Sequence, residues 1–491
     1  MRKILAGIET EYGLLVEGRG AEEQVDDAMA LVRVYPGECH VGWDYRYESP
    51  RADLRGFKLE RLAFDPEDAK FDAGRTYGEA HEVRSDRILP NGARLYNDHG
   101  HPEYATPECW SIFELAKHDC AGQKAIQGAT EAFAEVKGLS VSSYKNNTDF
   151  HGASYGTHEG YLVPRELGFE RLYRDVLPMM VVRQVLVGAG KVGAENSRSV
   201  SYQLSQRADF LSETANAETL YRRPIFNTRD EPHATPNDWI RLHVICGDAN
   251  MIPGATARKV GLIKLALALC EIQEAPLWRL KDPVRAFQEI SRDQTHQFRV
   301  ELEQKSWTTA RDILESYFAA AERCLDLDDE LRCVIDTSRE LLEDIHHNFD
   351  RFRKHVDWAA KRSILTQFME EEGTDWSDPH LKSFDLEYHN IDPAESLHAA
   401  LVEMGEVEAD PSQADQLACL EGVNETTRAF ARGLAISRFN PYLLGVCWRT
   451  LTFNVDGSPV EVDLPPNADY PPQLRDANDV GTFISMLRGV Q

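Results

Sequence analysis

Four stretches of this chain alternate apolar and polar side chains with a period of two, which commits them to strands with one dry face and one polar face. In "ILAGIETEYG" Ile4, Ala6 and Ile8 share one side, while Gly7, Glu9 and Glu11 share the other. In "ARLYND" Arg94, Tyr96 and Asp98 point together, and in "IRLHVIC" Arg241 and His243 oppose Leu242 and Val244. In "SVSYQLSQR" Val200, Tyr202 and Leu204 oppose Ser201, Gln203, Ser205 and Arg207. Such strands are expected in an antiparallel sheet whose apolar side packs on helices. The polar side is unusual. Solvated faces favour Thr and Lys, whereas these collect Glu, Asp, His, Tyr and Arg.

The densest such segment is "ARLYNDHGHPEYATPEC", residues 93–109, which has very few aliphatic side chains. Carboxylates are the ligands magnesium prefers, and it commonly shares them with substrate phosphates. Arginine forks suit phosphate oxygens. A sheet face carrying both is expected to cradle a metal–nucleotide pair.

At 491 residues the chain is too long for one compact domain. A strand-rich first half gives way to periodic helices between about 255 and 370, including a buried core helix in "VGLIKLALALCEIQEA". The acidic connector "MGEVEADPSQADQ" divides a large domain, 1–405, from a small C-terminal domain, 415–491. Residues 41–84, densely charged and broken by Pro and Gly, read as an inserted mobile loop over the active site.

A net charge of −27 argues against nucleic acid as a partner, and no apolar run is long enough for a membrane span. The start is too short and too quickly acidic for a signal peptide. Nine scattered cysteines without a CxxC pair argue against disulfides or a zinc knuckle. A cytoplasmic protein is the expectation, with a monomer as default.

Competing motifs are weaker. "GAGKVG" (188–193) lacks the first P-loop glycine and the Ser/Thr after Lys191. "GASYG" (152–156) fits a nucleophile elbow around Ser154 in letters, but "THEGYLVP" follows and reads as a strand rather than the required helix. "HEGYL" lacks the second histidine of a zincin, and "DIHHNF" reads as helix surface.

The series "GIETEYG", "NGARLYNDHGHPEYATPEC", "YKNNTD", "SYGTHEGYL", "LSQRADF", "NTRDEPHA" and "RLHVICGDANM" resembles, in order, the motifs of the Pup ligase and depupylase family. That family belongs to the carboxylate–amine ligase superfamily related to glutamine synthetase. The match runs from residue 4 to about 255 and more loosely through "LEYHNI" to "CWRTLTFNVDG". The resemblance implies an α+β fold: a glutamine synthetase-like large domain with a curved antiparallel sheet backed by helices, plus a small C-terminal domain. It implies ATP, retained as ADP and phosphate, and Mg2+. Carried over by motif, Glu9, Tyr96 and Glu103 resemble metal ligands, with Glu11, His158 and His243 further members of that shell. Arg94, Thr106 and Trp448 resemble nucleotide contacts, Arg207 and Arg229 face phosphates, and Asp98 resembles the catalytic aspartate.

Two branches of the family share these motifs. One joins the C-terminal glutamate of Pup, a small disordered protein tag, to a substrate lysine. The other hydrolyses that isopeptide bond and deamidates a C-terminal glutamine of the tag. "WDYRYESPRADLRGF" (43–57), "GDAN" (247–250) and the five-residue step from Asp98 to Glu103 resemble the depupylase branch. "GIETEYG", "GAGKV" and "RPIFNTRDEPHA" look more like the ligase, and Gly160 stands where both branches carry asparagine. A whole inserted segment outweighs scattered substitutions, so a depupylase/deamidase is expected. Its partners would be the tag, tag-conjugated proteins and proteasome-associated machinery. The alternatives are a ligase that consumes ATP while Asp98 deprotonates the incoming lysine, a silent tag-binding homologue, and a serine hydrolase using Ser154.

Overall fold

In the computed structural model, which describes residues 2–60, 84–150, 152–196 and 198–490, seven strands form one sheet. They are β1 (Ala6–Glu11), β2 (His40–Val41), β3 (Arg87–Ile88), β4 (Arg94–Asp98), β5 (His101–Ala105), β6 (Thr157–Pro164) and β7 (Trp239–Val244). Their spatial order is β7-β6-β1-β5-β4-β3-β2, and every pairing is antiparallel. Ile8, Tyr161, Leu242 and Val244 lie on its apolar side. They share a core with Leu115 of α1 (Ile112–Lys137), Val176 of α2 (Gly168–Val182) and Ile263 of α3 (Pro253–Glu271).

Local chemistry sets the helix ends. The Ser111 hydroxyl accepts from the Glu114 amide at 3.2 Å to start α1, and left-handed Gly138 ends it. Helix α3 is the expected buried core helix, and Lys264 within it donates to the Trp110 carbonyl at 2.6 Å.

One of the four alternating stretches and two further strands pair outside this sheet. "SVSYQLSQR" pairs only over Tyr202–Gln203, with Lys191–Val192, in a separate ribbon. Gln203, Ser205 and Arg207 are buried rather than on the sheet face, and Ser205 donates to Asp248 at 2.8 Å. "RPIFNTR" pairs in parallel with Leu211–Asn216, and Val141–Tyr144 pairs with Gly13–Val16. Alternation gives a strand two faces but does not say which sheet it joins.

Residues 41–60 of the expected mobile loop are docked. Trp43 packs edge-on against Trp448 with centroids 4.9 Å apart, the Ser49 amide donates to Glu231 at 2.6 Å, and the backbone of Asp53 pairs with that of Arg229 in an isolated antiparallel bridge. The remainder of that loop, 61–83, lies outside the described residues. Past the connector, the helix Gln413–Glu421 packs on α1. Helix α4 (Arg428–Phe439), strands β8 (Leu443–Val446), β9 (Thr450–Val455) and β10 (Ser458–Asp463), and helix α5 (Val480–Arg488) surround a second core. That core takes in Trp43, Ile88, Tyr96 and Ala105, so the C-terminal unit sits against the polar side of the sheet.

Candidate active site

Register decides which side chains meet. Glu11 stands opposite Glu103, and Glu103 opposite Tyr96. Glu9 stands opposite His158 on one side and Ala105 on the other, while His243 and Gly7 both oppose Gly160. Opposed residues of antiparallel strands share a face. Strands β1, β4, β5, β6 and β7 therefore pool their acids and imidazoles on one surface.

These side chains gather in two groups. The ligand atoms of Glu11, Asp98 and Glu103 lie within 4.8 Å of one another, as do those of Glu9, His158 and His243. The groups adjoin: His158 reaches Glu9 at 3.9 Å through Nδ1 and Glu11 at 3.9 Å through Nε2. His243 Nε2 lies 3.8 Å from Glu9, and Tyr96 donates its hydroxyl to Glu103. Both ring nitrogens of His243 are buried without a partner. Three crowded carboxylates beside an unsatisfied imidazole fit a divalent cation. The all-oxygen group suits Mg2+, and the mixed group also suits Mn2+.

Without a cation, proton equilibria carry the strain. Burial, then the nearby Asp98 charge, pushes the Glu11 carboxyl up to about 8. Burial, then Asp98 and Glu11, pushes Glu103 well above the usual carboxylate range. Burial also opposes ionisation of Asp98, but Arg84, His99, His158 and Arg94 hold its carboxyl well below that range. Burial, reinforced by Arg207, lowers His158 to about 3, and burial with Arg241 keeps His243 neutral. Asp98 is thus the ionised member of its group.

Beside the acids opens a slot lined by Gly7, Glu9, Thr106, Tyr161, His233 and Trp448, among others. Thr106 is fixed because its hydroxyl accepts from the Ile8 amide at 3.0 Å. Of the expected nucleotide contacts, Thr106 and Trp448 line the slot. Arg94 lies behind it, its guanidinium 4.3 Å from the Trp43 ring centroid and 4.0 Å from that of Tyr96, donating to Asp86 at 2.8 Å. Arg229 approaches the acids, and its buried Nε has no partner. Arg207 is spent largely on protein groups, donating to Ser154 Oγ at 2.7 Å and to the Tyr155 carbonyl at 2.8 Å.

Two cationic residues escaped the sequence reading. Arg84 pairs with Asp98 at 2.5 Å, and Arg241 donates to Glu9 at 2.5 Å and contacts His233 Nε2 at 3.1 Å. Both already place positive charge on the acids. Arg241 was visible on the polar side of its strand; Arg84 carried no signal. The Gly160 departure is now explicable. A Cβ there would stand 2.9 Å from Arg241 Nε, so the bare backbone makes room for that side chain. Ser154 has no elbow chemistry, since its hydroxyl donates to the Asn147 carbonyl and accepts from Arg207. Lys191 is buried against Glu195 at 3.1 Å, away from any phosphate loop, and His346 and His347 are helix surface as expected.

An antiparallel sheet that pools acids and imidazoles next to a slot, backed by helices and joined by a small C-terminal unit, is a glutamine synthetase-like architecture. The Pup-ligase protein family model matches residues 4–452, and the chain belongs to this family. It is 36% identical over 468 residues to a depupylase of Acidothermus cellulolyticus, covering 92% of this chain and 91% of that protein. It is 38% identical over 363 residues to a Pup--protein ligase of Kineococcus radiotolerans, covering 71% and 80%. The solved complex of Pup with its ligase PafA superposes with a TM-score of 0.79 at 28% identity, covering 99% of this chain and 92% of that one. PafA in complex with ADP gives 0.73 at 30% identity, covering 86% and 94%.

Proposed function

We propose that this chain is an ATP- and Mg2+-dependent depupylase and deamidase. It hydrolyses the isopeptide bond between a Pup-like tag and substrate lysines, and converts a C-terminal glutamine of the tag to glutamate. The observation that carries this is Asp98, set among Glu11 and Glu103 beside a slot lined by Thr106 and Trp448, in a chain akin to a depupylase along nearly its whole length. The ADP complex of PafA supports nucleotide use, and its Pup complex supports a tag partner.

Cations held at Glu9, Tyr96 and Glu103, with Glu11, His158 and His243 alongside and nucleotide phosphates as further ligands, would supply positive charge to the developing oxyanion. Asp98, oriented by Arg84, acts on the side-chain carbonyl of the tag's terminal residue. In direct attack its carboxylate forms the new C–O bond, the C–N bond breaks, the amine departs with a proton, and water hydrolyses the resulting anhydride. In the other route Asp98 takes a proton from water, and that water adds to the carbonyl. Hydroxylamine trapping of an Asp98 hydroxamate or a tag hydroxamate marks the anhydride route, and a single turnover in H2-18O that leaves label in the Asp98 carboxylate marks it independently when water adds at the Asp98 carbonyl. Arg229 and Arg241 border the acids as further cationic groups. The chain works in the cytoplasm as a monomer, upstream of proteasome-associated machinery; nine free thiols support the reducing compartment.

The test offers purified protein three substrates: a Gln-ending tag, a Glu-ending tag with a target protein, and a preformed conjugate. Deamidation and cleavage support the proposal. Conjugate formation without cleavage would assign the chain to the ligase branch, and tag binding without turnover would make it a silent homologue.

A further inference from the structure

Glu108 stands two residues beyond Thr106, just past the end of β5, and its carboxylate is buried between two guanidinium groups of α4. Arg428 Nε donates to Oε1 at 2.5 Å, and Arg432 Nη2 donates to Oε2 at 2.5 Å. Burial alone would drive Glu108 toward its neutral acid, but Arg432 and Arg428 hold it below the usual range.

Neither arginine stops there. Arg428 Nη1 donates to the His233 carbonyl at 2.5 Å. Arg432 Nη1 lies 3.5 Å from the Trp448 carbonyl, and its guanidinium sits 4.8 Å from the Trp448 ring centroid. His233 and Trp448 are walls of the slot, and Glu108 and Arg428 line it as well. His233 also holds φ at 49°, a left-handed backbone that a non-glycine residue keeps only when its surroundings fix it. One carboxylate just beyond the end of β5 therefore ties together two walls contributed by distant segments.

The same joint is closed by backbone packing. A Cβ at Gly92 would stand 2.5 Å from the Ala429 carbonyl oxygen, and one at Gly433 would stand 2.1 Å from that of Pro90. Arg432 Nε donates to the Gly92 carbonyl at 2.9 Å. Helix α4 thus lies directly on the turn that feeds β4 and Asp98.

We propose that Glu108 is a positioning residue for nucleotide binding: through Arg428 and Arg432 it fixes the His233 and Trp448 walls and couples slot occupancy to docking of the C-terminal unit. This rests on the nucleotide reading of the slot. Removing one partner of a buried ion cluster leaves the others uncompensated, so the walls shift when the carboxylate goes. Coupling is reciprocal: if docking raises nucleotide affinity, nucleotide must strengthen docking by the same factor.

The test measures ADP binding by calorimetry on the full chain for the unaltered protein, Glu108→Gln and Trp448→Ala. Hydrogen exchange of residues 428–463 is followed with and without ADP. Glu108→Gln should raise the ADP Kd about tenfold or more, while kcat at saturating nucleotide falls less than about threefold. ADP should slow exchange in α4 of the unaltered protein and do so less in Glu108→Gln. A folded Glu108→Gln with lowered Tm but unchanged ADP Kd would reduce the clamp to plain stability and overturn the proposal. If Glu108→Gln fails to fold, Arg432→Lys decides. It keeps the charge but loses the fork, and an unchanged Kd there is equally fatal. A raised Kd in Trp448→Ala alone leaves the slot reading standing without this proposal. An unaltered protein that binds no ADP removes both.

Discussion

The acid-lined half of the cleft and the slot beside it share β1 and β5 yet are built by different forces. In the first, strand register alone lines up Glu9, Glu11, Glu103, His158 and His243, and the groups meet as near neighbours across a ladder. In the second, the walls come from the 233 loop and from Trp448, and tertiary ion pairs from α4 hold them. A ladder places catalytic charges with little conformational freedom. A wall held by long side chains is set by contacts that single substitutions can loosen. Chemistry and nucleotide affinity should therefore separate under mutation.

The largest effect tests the ladder half. Asp98→Asn should cut conjugate cleavage by about a thousandfold or more while ADP affinity changes little, checked by single-turnover kinetics beside calorimetry. Equal losses in both would erase the division between the halves. Glu103→Gln should weaken Mn2+ binding by about a hundredfold, followed by electron paramagnetic resonance. Trp448→Ala belongs to the other half. Loss of base stacking, worth about 1–3 kcal/mol, should raise the ADP Kd and leave Mn2+ binding without nucleotide unchanged.

A pH series sharpens the electrostatic contrast. Glu11 is raised to about 8 by burial and then by Asp98, so below that pH a cation must displace its proton. Mn2+ affinity should climb as pH rises toward 8, by at most about tenfold per unit for each proton displaced, and the raised Glu103 carboxyl adds to the slope. The sign for stability is opposite. The folded, cation-free state holds an extra proton at Glu11 between the ordinary 4.5 and about 8, so its stability falls as pH rises through that window. A flat Mn2+ profile would remove Glu11 from the cation shell. The smallest effect is Gly160→Asn. Crowding Arg241 should cost about 1 kcal/mol in a denaturant melt and lengthen the Arg241–Glu9 contact.

Strand alternation made the acid half readable. Period two put Glu9 with Glu11, and Arg94 with Tyr96 and Asp98, and the structure keeps these on one face because opposed residues cannot change sides without a register slip. The family motifs then added His158, Glu103, Thr106 and Trp448. Arg207 looked like a polar-face residue, but its segment folds into a buried ribbon and its guanidinium holds Ser154 and backbone carbonyls. The ion pairs of Arg84, Arg241 and Glu108 join residues from 14 to 324 positions apart, and no local period encodes such partners. Docking of residues 41–60 escaped for the same reason. A charged, proline-broken composition looks loose until Trp43 and Asp53 find Trp448 and Arg229.

Manganese is the most direct probe of the central claim, that distant acids and imidazoles on one sheet face form a cation centre around Asp98. Crystals grown with Mn2+ and ADP, measured at the manganese edge, would locate the ions by anomalous scattering. The account predicts peaks bounded by Glu9, His158 and His243 and by Glu11 and Glu103, with Asp98 beside them and ADP in the Thr106–Trp448 slot. Manganese bound elsewhere, or ADP outside that slot, would contradict it.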